Sequence, residues 1–509
     1  MNLAASIVVL ACVAACGVPR WLRVAQREHY LAGSVTRFWV RWLRAGPVNL
    51  VLGLLLVAAA VAGAVWSPAL LVSAIAVVVW PIGLPIRGRT SKLALTRRLR
   101  TLGTVVYVLL AVVAAVLAIV VSLPLGAAVA AIAFPFVVDV ALVVLAPVEA
   151  RLGARYVDDA RAKLDKVRPR VVAVTGSFGK TSTKEHIRDL LGDRYLVGAS
   201  PASFNNRLGL ARAVNEHLQP GTEVFVAEMG MYAEGEIRAL CEWLPPEIAV
   251  LTAVGPVHLE RLGSIEAIVR AKAEIFERAP VAVVNVDDAR LAAVADDLTQ
   301  RGVRVRRCGT TDAPNLDVAL VPTPDGAMAR LVVDGAEHTV RLGDGTHASN
   351  LACAVAVARE LDVAPDRIVA RLDRLAVPTH RLEVRTSERG VTVIDDTFNA
   401  NPDGARHALD LLARVDTAGR RVVVTPGMVE LGAAQADANE QFARLATATA
   451  DTLVVVGRTN RAALLRGAGN GATTVECVPN RDRGTAWVRT TLGSGDAVLY
   501  ENDLPDHYP

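Results

Sequence analysis

Val171-Val172-Ala173-Val174-Thr175-Gly176-Ser177-Phe178-Gly179-Lys180-Thr181-Ser182 is the stretch on which the reading of this chain turns. Its β-branched start has the character of a buried parallel strand, and Thr183–Leu191 after it has helical spacing. Between strand and helix, two glycines let backbone N–H groups close on an anion, and the helix start adds its positive dipole end. Thr175, Gly176, Gly179, Lys180, Thr181 and Ser182 are therefore candidate nucleotide-binding residues. Lys180 would hold the β- and γ-phosphates of ATP, and the Thr181 hydroxyl would ligate Mg2+. A glycine turn alone would be weak support; strand, glycines, Lys-Thr and helix in sequence are strong.

Upstream of this loop the composition changes. Five apolar stretches, Asn2–Val18, Val48–Trp66, Ala69–Pro85, Thr104–Leu123 and Leu125–Val148, each approach the roughly 20 residues that a helix needs to cross a bilayer. Pro19–Gly46 carries Arg20, Arg23, Arg27, Arg37, Arg41 and Arg44 against the single acid Glu28, and the loop with Arg87, Arg89, Lys92, Arg97, Arg98 and Arg100 has none. The positive-inside rule puts both loops in the cytoplasm, the N-terminus outside and everything after Glu149 inside, where ATP is. The expectation is a multi-pass protein of the cell membrane with cytoplasmic catalytic domains. The tryptophans and arginines of Pro19–Gly46 fit an amphipathic helix at the headgroups. Asp139 lies inside the fifth stretch, as a functional acid or as a partner for another helix.

The remaining composition excludes more than it selects. A net charge of +4 over 509 residues gives no reason to expect nucleic acid. Cys12, Cys16, Cys241, Cys308, Cys353 and Cys477 form no CxxC pair, so neither a zinc site nor a disulfide framework is indicated. Cations are almost all arginine; the only lysines are Lys92, Lys163, Lys166, Lys180, Lys184 and Lys272.

A general nucleotide loop reads GxxxxGK(S/T), whereas only Ser177 and Phe178 separate the two glycines here. In that spacing the chain resembles the Mur ligases and folylpolyglutamate synthetases, whose loop reads TG(S/T)xGK(S/T). Phe204-Asn205-Asn206-Arg207-Leu208-Gly209 is similar to the FNNxxG segment of the MurF-type branch. Glu228, ending the strand-like Val224–Glu228, inherits the family's magnesium-binding acid. His258, in His258-Leu259-Glu260, inherits a metal-ligand histidine. Ala271-Lys272-Ala273-Glu274-Ile275-Phe276 resembles AKxEIF, whose lysine is carbamylated and helps position two Mg2+ ions. A solvated surface cation would follow the arginine bias, so a lysine at 272 supports that carbamate, which arginine cannot form. Asn350, after His347 and before an alanine-rich helix, resembles a nucleotide contact, although the histidine-to-asparagine distance is one residue shorter than in the family. Arg381 in Pro378–Glu383 stands for an ATP phosphate contact, and Asp396 in Asp395-Asp396-Thr397-Phe398-Asn399-Ala400-Asn401-Pro402 would face the nucleotide. Pro426-Gly427-Met428-Val429-Glu430-Leu431-Gly432 resembles GDMxELG with proline in place of the acid.

Hydropathy for the first part and the resemblance for the rest imply an α/β fold with a helical transmembrane domain over 1–150, a connector over 151–169, a central P-loop ATP-binding domain over 170–377 and a smaller α/β domain over 378–509. The resemblance implies a ligase that makes an amide through an acyl phosphate in cell-envelope precursor synthesis, with Lys180, Lys272, His258 and Glu228 as catalytic residues and Thr181, Glu228 and His258 at the metal. The partners are a carboxylate acceptor and an amine or amino-acid donor. Family members begin with a domain that binds a UDP-sugar. Here apolar spans take that place, so the acceptor could be lipid-linked. A membrane-tied poly-γ-glutamate-type synthase and a non-catalytic, nucleotide-gated scaffold are the alternatives; the paired catalytic residues argue against the scaffold. Oligomeric state is not legible.

Overall fold

Val171–Thr175 lies on the third strand in a nine-stranded sheet of the computed structural model, which describes residues 2–508 apart from 87, 89–92, 202, 258, 325, 344–345, 373, 375–382, 398–400, 470 and 505–506. The chain divides into two compact units. One comprises Met1–Leu152 with Gly457–Thr459 and Leu504–Pro509; the other comprises Gly153–Val456 and Asn460–Asp503.

In the first unit, four helices are long and apolar enough to cross a membrane: Asn2–Arg27, Pro47–Val65, Arg97–Val120 and Leu123–Val167. The third apolar stretch behaves differently from expectation. Its helix covers only Ala69–Val79, and the chain then runs non-helically through Pro81 and Pro85. Proline removes a backbone donor and blocks helix continuation, and the exposed carbonyls are taken up by side chains. Arg20 donates to the carbonyls of Val77, Val78 and Trp80, and Arg23 donates to that of Pro85. Asn49 meets both the N–H and the C=O of Ile82.

Pro19–Gly46 is likewise not one interfacial helix. Its first part continues the N-terminal helix to Arg27, with Arg20 and Arg23 buried, and a separate helix spans Ser34–Leu43. Asp139 explains that second helix. Its carboxylate accepts the N–H groups of Gly33, Val35 and Thr36 and the Thr36 hydroxyl at 2.6–3.3 Å, satisfying donors that a helix start leaves open. Residues 151–167, expected as a connector, continue the Leu123–Val167 helix. The chain's end also belongs to this unit: the Trp42 indole donates to the His507 carbonyl at 3.0 Å, and the His507 ring lies 3.0 Å from Glu28 Oε1.

The second unit holds two sheets. The first contains β1 (Arg170–Thr175), β2 (Val197–Ala199), β3 (Val224–Glu228), β4 (Ile248–Leu251), β5 (Val281–Asn285), β6 (Arg304–Gly309), β7 (Val318–Pro322), β8 (Met328–Val333) and β9 (Ala336–Arg341). Its order is β2-β3-β1-β4-β5-β6-β7-β8-β9, parallel through β7 and antiparallel in the last two pairs. The second sheet contains β10 (Glu383–Thr386), β11 (Thr392–Asp396), β12 (Arg421–Thr425), β13 (Thr452–Val456), β14 (Thr474–Val478) and β15 (Ala497–Glu501), in the order β10-β11-β15-β12-β13-β14. Only its β10–β11 pair is antiparallel.

Both faces of β1 are covered: Val171 and Ala173 pack in one apolar core, Val172 and Val174 in another. Each buried valine is worth about 2 kcal/mol, which fixes the strand and aims its carboxyl end. Because β1 has β3 on one side and β4 on the other, its end is a topological switch point, where open α/β sheets bind ligands. All six cysteines are free; Cys241, Cys308 and Cys353 are core residues, but Cys477 is exposed.

Candidate active site at the end of the central strand

β1 delivers Thr175 to the switch point, and the Lys180–Leu191 helix starts directly beyond the loop. Thr175 is buried, with its hydroxyl donating to the Met229 carbonyl at 2.8 Å. The loop admits no side chain at either glycine. A Cβ on Gly176 would lie 2.0 Å from Thr252 Oγ1, and one on Gly179, whose φ is 77°, would lie 2.0 Å from Asn350 Oδ1. Asn350, in the first turn of the Ala348–Glu360 helix, is thus packed against the phosphate loop. Ser182 is buried in the first turn of the Lys180–Leu191 helix.

Two lysine amines converge on one carbonyl. Lys180 Nζ donates to the Gly176 oxygen at 2.8 Å, and Lys272 Nζ donates to the same oxygen at 3.0 Å. Lys272 sits at the end of the Ile265–Ala273 helix and is only 2% exposed. Burial, and then the neighbouring Lys180 charge, hold its amine well below the usual lysine range, because both oppose a second ammonium there. The AKxEIF-like stretch is α-helical to Ala273 and tightens into a 3-10 turn over Glu274–Phe276. Glu274 turns back to accept the N–H groups of Gly235 and Arg238 at 2.7 and 3.1 Å, capping the Glu236–Trp243 helix.

Glu228 reaches the loop from the next strand, in register with Val174. Its Oε2 accepts the Thr181 hydroxyl at 2.8 Å and its Oε1 accepts the Asn205 amide at 3.1 Å. Among the described residues no three His, Cys, Asp or Glu side chains gather into a metal cluster. Mg2+ needs none, since it takes one or two protein oxygens and completes its octahedron with phosphate and water. The adjacent Thr181 and Glu228 oxygens fit that role, and the glycine loop fits a nucleotide phosphate. His258 and Arg381 lie outside the described residues, as does the Pro378 boundary.

Asp396 lies at the end of β11 in the second sheet, in register with Glu501 of β15. Glu501 is fully buried and accepts the Thr425 hydroxyl at 2.6 Å. Burial pushes its carboxyl up to about 8, against the Thr425 hydrogen bond and with the help of the Asp396 charge. His347 stacks on His407 of the Pro402–Arg414 helix, ring centres 4.4 Å apart.

Sequence reasoning missed Thr252, which donates to the carbonyls of Thr175 and Phe178 and so braces the loop. It also assigned no role to Asn205 or to Lys184, whose rarity as a lysine was the available signal.

Known proteins resemble this chain over the domains that hold both sheets. Residues 174–358 match the Mur ligase middle domain, and residues 380–500 match the Mur ligase, glutamate ligase domain. The UDP-N-acetylmuramoyl-tripeptide--D-alanyl-D-alanine ligase of Mycobacterium tuberculosis is 36% identical over 359 residues, 65% of this chain and 69% of that one. MurF from Acinetobacter baumannii superposes with a TM-score of 0.60 at 25% identity, over 69% of this chain and 77% of its own. MurF from Thermotoga maritima in complex with ADP gives 0.57 at 27% identity, over 69% and 80%. The two domain matches begin at the end of β1, take in the whole phosphate loop and reach β15; this chain belongs to the Mur ligase family, ATP-dependent enzymes that join a carboxyl carbon to an amine nitrogen.

Proposed function

We propose that this chain is a membrane-anchored Mur ligase that couples an amine donor to the carboxylate of a membrane-presented acceptor during synthesis of a peptidoglycan-type precursor. The observation that carries the ligase chemistry is the pairing around one loop: Lys180 and Lys272 on the Gly176 carbonyl, with Thr181 on Glu228 beside them. The relatives compared above are named for joining D-alanyl-D-alanine to UDP-N-acetylmuramoyl-tripeptide, which supports an amino-acid or short-peptide amine as the donor.

Lys180 and the loop N–H groups would bind the β- and γ-phosphates of ATP, while Asn350 supports the loop from behind. Thr181 and Glu228, with His258 by family resemblance, would hold magnesium. Lys272, whose amine is held well below the usual lysine range by burial, would bond to CO2; Nζ gains the carbon and gives up one proton to solvent. Bound Mg2+ would neutralise phosphoryl charge, and the carbamate would add an anionic oxygen pair beside it. An acceptor carboxylate held in line displaces ADP from the γ-phosphate, and the amine then displaces phosphate from the acyl group. The chain contributes positioning and charge neutralisation to both steps. Arg381 and Asp396 would complete the nucleotide site from the 378–509 domain, opposite the 170–377 domain.

Membrane anchoring is supported by apolar side chains that water would not tolerate in such number. Val65 is 95% exposed, Ile119 85%, Ile75 65% and Leu3 62%, all on the apolar helices. Within the first unit, Asn2 bonds Ser67 at one end, while Arg98 pairs with Glu149 at the end that carries the arginines. With the arginine-rich side in the cytoplasm, the helix that runs on through Val167 enters the catalytic unit on the side where ATP is.

The test uses the full chain in membranes with ATP and D-alanyl-D-alanine, supplied with a muramoyl tripeptide on either UDP or a polyprenyl carrier. ATP-dependent product with the mass of acceptor plus donor minus water is expected, faster on the polyprenyl carrier. Equal or faster use of the UDP form would remove the membrane-presented acceptor; no ligation product with either would remove the donor and acceptor assignment.

A further inference from the structure

Lys184 is a charged residue that the chemistry above does not use. It follows Lys180 by one helical turn, and none of its surface is exposed. Its Nζ donates to the Ser200 carbonyl at 2.7 Å, lies 3.8 Å from Glu228 Oε2 and lies 3.3 Å from Glu185 Oε1. Ser200 in turn accepts the Glu228 main-chain N–H on its hydroxyl at 3.0 Å, so lysine, serine and glutamate close a ring. Full enclosure rules out contact with a substrate. A buried ammonium is costly unless paired, and here the paired oxygen is the one that Thr181 also bonds.

The charges around the loop therefore do not favour a bare cation. Glu228 and Glu185 bring two negative charges, and Lys184 and Lys180 bring two positive ones, so no net negative charge is left to hold a divalent ion. A cation at Glu228 Oε2 would also face the Lys184 ammonium, and like charges repel strongly in a poorly solvated interior. A nucleotide tips the balance, because its phosphates add several negative charges at the loop.

We propose that Lys184 is a built-in counter-ion to Glu228 that makes the divalent-metal site conditional on nucleotide: the cation is refused without nucleotide and accepted only together with the phosphates. The inference rests on the phosphate-site reading and concerns the order of binding, not the reaction step. It also assigns Lys184 the role of a positioning residue acting through Glu228.

The probe is Mn2+ in place of Mg2+, followed by its free-ion electron paramagnetic resonance signal on the detergent-solubilised full chain. Without nucleotide the unaltered protein should bind no Mn2+ specifically, and with ADP it should bind at the loop. Lys184→Met and Lys184→Gln remove the charge, and the second keeps an N–H donor for the Ser200 carbonyl. Both should gain a Mn2+ site without nucleotide, at least tenfold tighter than any in the unaltered chain. Adding Glu228→Gln to either should abolish that gain. Thermal melting with and without ADP verifies that each variant is folded. Specific Mn2+ binding by the unaltered chain without nucleotide would overturn the inference, and that measurement needs no variant. So would folded neutral variants that gain no site, or a gain that survives Glu228→Gln. Absence of Mn2+ binding even with ADP would overturn the phosphate-site reading and this inference together.

Discussion

Buried charges in the two units differ in what they meet besides the main chain. In the apolar N-terminal unit they end on helix termini: Asp139 takes up the N–H groups that open one helix, and Arg20 takes up the carbonyls that close another. In the catalytic unit Lys180 and Lys272 share the Gly176 carbonyl and Lys184 takes that of Ser200, but Lys184 also faces Glu228, and all four gather around a single loop. A charge spent only on helix termini completes a fold. Charges that also face each other remain available to a ligand that alters their balance.

The largest expected effect breaks the loop cluster. Lys180→Ala should lower ATP turnover by about 10²–10³-fold, the scale of losing one preorganised charge-stabilising group, with melting unchanged. Lys272→Arg should fail as severely although it keeps the positive charge, because a guanidinium takes up no CO2. Lys272→Ala should recover part of its turnover with added formate, and the arginine variant none. Retained activity in Lys272→Arg would show that charge alone is the function. Glu501 tests a buried acid with no cation paired to it among the described residues. Its folded pKa of about 8 lies above the ordinary 4.5, so its stabilising contribution is complete below about 4.5 and is lost as pH rises to about 8. Melting should therefore fall with pH across that window by up to about 1.4 kcal/mol per unit, and Glu501→Gln should flatten the slope. Asp139→Ala should cost about 2 kcal/mol, the upper range for losing a helix cap, and leave ATP turnover per folded molecule unchanged; a selective loss of turnover would put Asp139 in the functional class. Arg212→Ala, which removes an exposed pair with Glu216, should leave the melting temperature where it was.

What could be read without coordinates follows the same division. The phosphate loop was legible because its strand, glycines, lysine, threonine and helix are contiguous, so local chemistry and local geometry coincide. Glu228 and Lys272 were legible through family resemblance and, for Lys272, through the scarcity of lysine. Thr252 was not, because it directly follows β4 and meets the loop only once the sheet is assembled. The end of the Ala69–Val79 helix was missed for a related reason. An apolar run has no period that marks where side chains such as Arg20 and Asn49 replace helical hydrogen bonds. Asp139 could be flagged from its surroundings, but its cap on a helix about a hundred residues earlier could not. Asp396 illustrates the converse: its motif was clear, and the structure puts it on the second sheet beside Glu501, a neighbour no motif announced.

The concentration of lysine at the loop has a spectroscopic consequence. Six lysines serve 509 residues, and Lys180, Lys184 and Lys272 lie together, two of them enclosed. A carbon-13 label delivered as bicarbonate would report on a carbamate against a background of very few competing amines. Reductive methylation would mark Lys166 on the surface readily, and Lys184 and Lys272 only after the loop has opened. The arginine-rich surface is silent in both experiments, so the chain carries a nearly site-specific probe of its own phosphate loop without any substitution.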